Sequence, residues 1–184
     1  MPCLVRFEES SMFDALLLTQ NDDRAIVAQR VQLDEARLPD GDVLVDIAWS
    51  TVNYKDALAI TGRIPIVRQF PMVPGIDFAG TVLESHDSRH RAGDAVLLDG
   101  WGLGQAHWGG LARKARVKAD WLVPMPGGMD ARRAEAWGRL ASELPAEITD
   151  ANTRAITLDE VVDLAPRLLA GQVRGRVVVD VGAG

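Results

Sequence analysis

The chain has 184 residues, 47% of them apolar and 25% charged, which supports one domain with a proper core, or one large and one vestigial domain, and excludes a disordered or fibrous chain. Twenty Lys and Arg against 26 Asp and Glu leave a net charge of −6 at pH 7 with no long basic run. Nucleic-acid binding, which needs clustered positive charge, is therefore disfavoured, although a few local Arg or Lys would still serve a phosphate-bearing small molecule.

The N-terminal residues Met1-Pro2-Cys3-Leu4-Val5-Arg6 carry no basic stretch followed by an apolar core, so they do not read as a signal peptide. A second methionine, Met12, directly precedes a strand-like run, and residues 1–11 are read as a leader with little role in the fold. Cys3 is the one cysteine, so neither an intramolecular disulfide nor a Cys-based metal cage is available, and the expected compartment is the reducing cytoplasm. No stretch approaches the roughly 20 apolar residues of a membrane span.

From there the chain reads as short strands separated by turns. Apolar or alternating runs occupy 15–19, 26–33, 43–49, 78–83, 95–98, 111–117 and 121–123. Turn signals such as Asn21-Asp22-Asp23, Pro39-Asp40-Gly41-Asp42 and Ala92-Gly93-Asp94 separate them, a rhythm that predicts a barrel or sandwich. One short helix, 55–61, is entered through Asn53 and closed by Gly62.

The last third is helical. Asp130 is a candidate N-cap for 131–144, where Ala134, Trp137, Leu140, Ala141 and Leu144 recur at helical spacing until Pro145 stops the run. Thr157-Leu158-Asp159-Glu160 matches a capping box opening a second helix that Gly171 ends, with Pro166 predicting a kink or restart inside it. Residues 176–181 read as a final strand followed by a loose Gly182-Ala183-Gly184 tail.

The glycine-rich stretches are poor nucleotide cradles. In Gly100-Trp101-Gly102-Leu103-Gly104-Gln105 the third required glycine is Gln105 and no helix follows, so a turn is the better reading. Gly182-Ala183-Gly184 follows a strand but has no helix behind it in this sequence. A metal is not expected, because no Cys partners His86, His90 or His107, and His86 and His90, although four residues apart, sit in a polar loop rather than on a helix and read as solvated. No Gly-x-Ser-x-Gly occurs, which disfavours hydrolase chemistry. Asn53-Tyr54-Lys55-Asp56 lies where a strand gives way to a helix. It reads either as a capping Asn with a half-buried Tyr or as a site in which Tyr54, the single tyrosine, donates a proton or hydrogen bond.

Read in order, several segments resemble the medium-chain dehydrogenase/reductase superfamily. They are Asn53-Tyr54-Lys55-Asp56, Pro71-Met72-Val73-Pro74-Gly75-Ile76-Asp77-Phe78-Ala79-Gly80, Ala92-Gly93-Asp94-Ala95-Val96, Gly109-Gly110-Leu111-Ala112 and Asp120-Trp121-Leu122-Val123-Pro124-Met125-Pro126. The run from Leu97 to Gly110 is similar to the acryloyl-CoA reductase branch, often labelled NADPH-dependent quinone oxidoreductase. The resemblance implies a mainly β fold with α (α+β), a GroES-like partly open β-barrel with peripheral helices. It covers about 12–133 and 133–181, two family segments joined where a nucleotide-binding Rossmann domain would be inserted, so that 12–184 forms one catalytic domain and the Rossmann domain is missing by an engineered or natural deletion.

The chemistry implied by the resemblance is zinc-independent reduction of α,β-unsaturated thioesters such as acryloyl-CoA, or of quinones or enones, with NADPH as cofactor. The hydride goes to the β-carbon and the proton to the α-carbon. It places Tyr54 as the catalytic residue and Asn53, Tyr54 and Gly171 on the cofactor side. Arg63, Arg68, Trp101 and His107 become substrate-side candidates; Arg113 and Lys114 are further cations, and solvated surface charge is the alternative for each cation. The substrate would be a small molecule, with no nucleic acid, no membrane and no metal. The truncated chain is expected to be inactive alone, and the surface uncovered by the missing domain to favour homo-oligomers. The competing expectation is a stand-alone, non-catalytic binding or oligomerisation module derived from the same domain.

Overall fold

The computed structural model describes residues 12–137 and 143–183; the leader of residues 1–11 and the middle of the helix expected over 131–144 lie outside them. β1 (Met12–Gln20) and β2 (Ile26–Asp34) form an antiparallel hairpin in unbroken register, from Met12 opposite Asp34 to Gln20 opposite Ile26. The turn closes where the Asn21 side chain accepts the Ala25 N–H at 2.8 Å. Phe13, Ala15, Leu16 and Leu18 are buried; Phe13 and Ala15 follow the two-residue alternation of a strand, which breaks at Leu16.

The larger sheet uses β3 (Val43–Thr51), β4 (Asp77–Ser85), β5 (Ala95–Asp99), β6 (Lys114–Val117), β7 (Val123–Pro124), β8 (Thr153–Thr157) and β9 (Arg176–Asp180). Their order is β7-β5-β4-β3-β9-β8, with β6 also paired to β3. Bridges from Ala15 to Ala112 and from Leu18 to Met72 lay the hairpin against the larger sheet. The result is a barrel-like wrap that does not close. Phe78, Leu16, Leu18, Ile47, Met72, Leu98, Leu103 and Leu111 fill it and are almost wholly buried.

Four helices lie among the described residues: α1 (Tyr54–Thr61), α2 (Ala131–Trp137), α3 (Ala146–Ala151) and α4 (Leu158–Leu169). Asn53 caps α1 in a reciprocal box with Asp56, and Gly62 ends it at φ +65°. α4 starts at the expected Thr157–Glu160 box and turns Leu158, Val161, Leu164 and Ala165 into the core, where α1 packs beside it.

Several expectations need correction. Pro166 does not break α4, which runs unbroken to Leu169; Pro166 is exposed and deletes one hydrogen bond, while the buried stripe holds the turns on either side. Residues 153–157 are a strand that pattern reading missed, pairing in parallel with β9 across the α4 crossover. A short edge strand with Thr153, Arg154 and Thr157 among its five residues carries little apolar signal. The strand expected over 111–117 begins at Lys114, because Leu111 and Arg113 instead bond to β1 and β3 across the barrel. His90 is not solvated: it is 6% exposed, with Nε2 3.1 Å from the Ala119 carbonyl oxygen, whereas His86 is exposed. The tail after β9 is not loose, since the Gly182 and Ala183 N–H groups both donate to Asp180 Oδ1 at 3.1 Å.

Candidate active site

β3 ends at Thr51 and α1 begins at Tyr54, so the two-residue corner between them faces the start of β4. Asp77, the first residue of β4, receives this corner. Its Oδ1 accepts the Thr51 N–H at 3.0 Å; its Oδ2 accepts the Thr51 hydroxyl at 2.6 Å and the Asn53 side-chain amide at 2.7 Å. Asn53 is therefore more than a helix cap: its amide is aimed into the site by a carboxylate 24 residues away.

Beside Asp77 the charge is mostly negative. Asp99 on β5 stands directly opposite Asp77 in the antiparallel register, and burial and the Asp77 charge push its carboxyl above the usual range. Glu135 on α2 lines the same cleft, and burial, then the Asp77 charge, push its carboxyl well above the usual range. Asp56, 1% exposed beneath the corner, accepts the N–H groups of Asn53 and Gly75 at 2.9 and 3.1 Å. Burial, then Asp77, push it up to about 7. Thr51, Asn53, Asp77, Asp99, Glu135 and Arg176 supply the polar lining of a cleft of about 320 Å³.

Tyr54, 60% exposed, opens onto an adjoining hollow of about 240 Å³ that shares Thr51, Asn53 and Arg176 with the cleft. The corner thus brings Asn53 and Tyr54 together as the pattern predicts, one in the wall and one at the rim. The other candidates fall elsewhere. Trp101 stacks on Trp121 with ring centres 6.1 Å apart, and His107 meets the same Trp121 edge-on at 5.2 Å, so these two share an aromatic cluster. Arg63 and Arg68 are exposed on the loop after α1; the intervening Ile64, Pro65, Ile66 and Val67 line a separate groove of about 340 Å³. Gly171 closes α4, its N–H donating to the Leu168 carbonyl at φ +69°. Arg113 forks onto Asp46 at 2.8 and 2.9 Å, and Lys114 pairs with Glu35 at 2.7 Å.

Sequence reasoning missed the carboxyl cluster. Asp77 stood inside a quoted motif and Asp99 opened the glycine-rich loop, but nothing local says that they face each other across a strand pair. Glu135 carried no such signal; only the structure shows that it lies between Ala134 and Ala136, both 2% exposed, on a short helix.

The described residues supply little of a dinucleotide cradle. The pyrophosphate needs free N–H groups or cations. The amides of Gly182 and Ala183 are spent on Asp180, those of Leu103, Gln105 and His107 bond inside the 100–107 loop, and the cleft presents three carboxyls against one cation, Arg176. The loop around Gly100, Gly102 and Gly104 is the turn expected of it, with all three glycines at positive φ. No group of three or more His, Cys, Asp or Glu is arranged to hold a metal among the described residues. None of the described helices is long and apolar enough to cross a membrane.

Comparison with known proteins gives one picture. Residues 39–127 match the alcohol dehydrogenase GroES-like domain. The probable acrylyl-CoA reductase AcuI of Escherichia coli is 63% identical over 120 residues, 65% of this chain and 37% of that protein. The acrylyl-CoA reductase AcuI of Ruegeria pomeroyi is 51% identical over 128 residues, 69% of this chain and 39% of that protein. The chain therefore spans less than two-fifths of these curated relatives. Among solved structures, the yhdH oxidoreductase of Salmonella enterica in complex with NADP superposes with a TM-score of 0.87 at 26% identity, over 91% of this chain and 99% of that one. The yhfP protein of Bacillus subtilis with NAD bound gives 0.66 at 32% identity, over 87% of this chain and 52% of that one.

Proposed function

We propose that this chain, a member of the medium-chain dehydrogenase/reductase superfamily whose residues 39–127 match the alcohol dehydrogenase GroES-like domain, is the substrate-side domain of a zinc-independent, NADPH-dependent reductase of α,β-unsaturated thioesters or quinones. The observation that carries the reading is the Asn53–Tyr54 corner, held by Asp77 at the meeting of two hollows and presenting an exposed phenol. In this reading Tyr54 donates a hydrogen bond to the substrate carbonyl, polarising the conjugated double bond toward attack at its β-carbon. Asn53 fixes the entry to α1 and so the place of Tyr54. Trp101 and His107, grouped by Trp121, offer an aromatic surface to the rest of the substrate, and Arg63 and Arg68 lie on the loop after α1 as candidates for its phosphates. Zinc independence rests on the donors already occupying both Asp77 oxygens, which leaves them poorly placed as ligands.

Residues 12–184 act as one domain, built from segments 12–133 and 133–181 joined at α2, and work in the cytoplasm. Alone they do not turn over, because hydride transfer needs donor and acceptor carbons held roughly 3–3.5 Å apart and no described residue cradles the donor's pyrophosphate. The test is twofold: calorimetric titration with propionyl-CoA, and NADPH oxidation with acryloyl-CoA. Saturable ester binding that Tyr54→Phe weakens, with no NADPH consumed, is the expected result; a chain that binds no ester refutes the substrate-side role, and steady turnover refutes the inactivity.

A second reading is favoured by α2 itself, which forms part of the cleft wall and contributes one of its carboxyls. A domain whose cleft is walled in this way would serve as a non-catalytic binding or oligomerisation module. Light scattering separates the two: concentration-dependent self-association without ester binding supports the module, and a monomer that binds ester supports the reductase half.

A further inference from the structure

The groove of about 340 Å³ beside the end of α1 shares no lining residue with the cleft at Asp77 or with the hollow at Tyr54. Its size lies within the range of small-molecule sites. One wall is the loop after α1, and the other is the turn that joins β1 to β2. Ile26, Ile66, Val67 and Phe70 pack against the core, so the apolar surface is part of the fold and not a loose flap. The loop is pinned at its far end as well. There the Arg68 N–H donates to the Gln105 carbonyl at 2.8 Å and the Gln69 side-chain amide to the Ala106 carbonyl at 3.1 Å. Ile64 still stands 48% exposed on the wall.

One charge enters this apolar lining. Among the described residues Arg24 is its single ionisable side chain, and the guanidinium makes no ion pair and no hydrogen bond. The neighbouring polar groups are already used: the Thr61 hydroxyl donates to the Ala57 carbonyl at 2.7 Å, and the Gln20 amide to the Arg24 carbonyl at 3.5 Å. Arg24 has φ +63°, a region that favours glycine. Its N–H donates to the Asn21 carbonyl at 2.9 Å, and the Ala25 N–H donates to Asn21 Oδ1 at 2.8 Å, which fixes the turn. Asp22 and Asp23 are exposed in the same turn and do not pair with Arg24. Arg63 and Arg68, exposed on the facing loop, also make no ion pair among the described residues, so the mouth is net positive. Nothing inside the described chain uses the cation that this strained position presents, which points to an anion from outside.

We propose that this groove binds a small aliphatic carboxylate, its alkyl chain lying along Ile26, Ile66, Val67 and Phe70 and its carboxylate forked onto Arg24. A single lining cation matches a monoanion, and the planar guanidinium matches a planar carboxylate through two parallel hydrogen bonds. The inference goes beyond the reductase reading and does not depend on it.

The test is calorimetric titration of the full chain at about pH 7.5 with octanoate and with octanol, which keeps the alkyl chain and lacks the charge. The expected result is saturable octanoate binding, at least tenfold weaker binding of octanol, and backbone amide shift changes centred on 24–26 and 62–70. Arg24→Gly should weaken octanoate at least tenfold while its urea midpoint stays equal or rises, because glycine adopts the positive φ without strain. No saturation with octanoate, equal binding of octanol, equal binding by Arg24→Gly, or shifts centred on Thr51–Tyr54 and Asp77 overturns the site. Should Arg24→Gly lower the midpoint, Arg24→Gln decides: a tenfold loss of octanoate binding at an unchanged midpoint supports the proposal, and unchanged binding refutes it.

Discussion

Asp56 Oδ1 accepts the backbone N–H of Gly75 at 3.1 Å, fastening the first turn of α1 to the loop that leads into β4. The other oxygen accepts the Asn53 N–H at 2.9 Å, so one buried carboxyl sets the spacing between the Asn53–Tyr54 corner and the strand that carries Asp77. The position of the site thus depends on a group that is costly to ionise where it sits.

That cost makes stability depend on pH. Burial, then Asp77, raise the folded-state Asp56 carboxyl to about 7, against 3.8 when it is free. A raised carboxyl binds its proton more tightly in the folded state, so its contribution is fully present below about pH 4, falls as pH rises, and is gone above about pH 7. Each tenfold change in proton affinity corresponds to about 1.4 kcal/mol, so the decline is on the order of a few kcal/mol. Urea unfolding from pH 4 to 8 should show stability falling with pH in the wild-type chain, and a shallower fall in Asp56→Asn. A variant that retains the full wild-type slope would remove Asp56 from the account.

Gly75 cannot be replaced at low cost. Its φ is +105°, and a Cβ there would lie 2.6 Å from the Leu111 backbone nitrogen. Overpacking costs roughly 1–3 kcal/mol and the left-handed backbone about 1–2 kcal/mol more. Gly75→Ala should therefore lower stability by about 2–5 kcal/mol in chemical denaturation. A loss within about 0.5 kcal/mol would mean that the 109–111 segment yields freely.

Tyr54→Phe should be silent in folding. The side chain is 60% exposed, and substitutions at such positions stay within about 0.5 kcal/mol. Its effect should appear in calorimetry with a CoA ester, as weaker binding at unchanged unfolding midpoint. A large loss of stability would identify the tyrosine as structural instead.

The start of α4 offers a local check. The Thr157 N–H donates to Glu160 Oε2 at 2.9 Å, and the Thr157 side chain in turn receives an N–H of the first turn. Thr157→Ala should cost about 1 kcal/mol, and Thr157→Ser should restore most of it. Equal effects of the two variants in urea unfolding would show that the hydroxyl does not matter.

Amino-acid pattern alone determined most elements of this protein. The apolar or alternating runs at 15–19 and 26–33, the caps at Asn53 and Thr157 and the stop at Gly62 are local signals, because a side chain's pattern, a hydroxyl, a carboxyl or a missing Cβ acts within a short stretch of backbone. The ordered motifs from Asn53 to Pro126 likewise pointed to the GroES-like barrel, and the match over 39–127 agrees. Only the tertiary structure decided the chemistry of the cleft. Asp77 meets Asp99 across β4 and β5 and Thr51 and Asn53 across the corner, and Glu135 from α2 lines the same cleft, so partners far apart in the chain set its environment. The same holds for His90, which a polar loop should have left in water and which Ala119 instead receives into the interior. Burial and charge proximity are properties of distance in space, and those distances exist only once the chain has wrapped around its core.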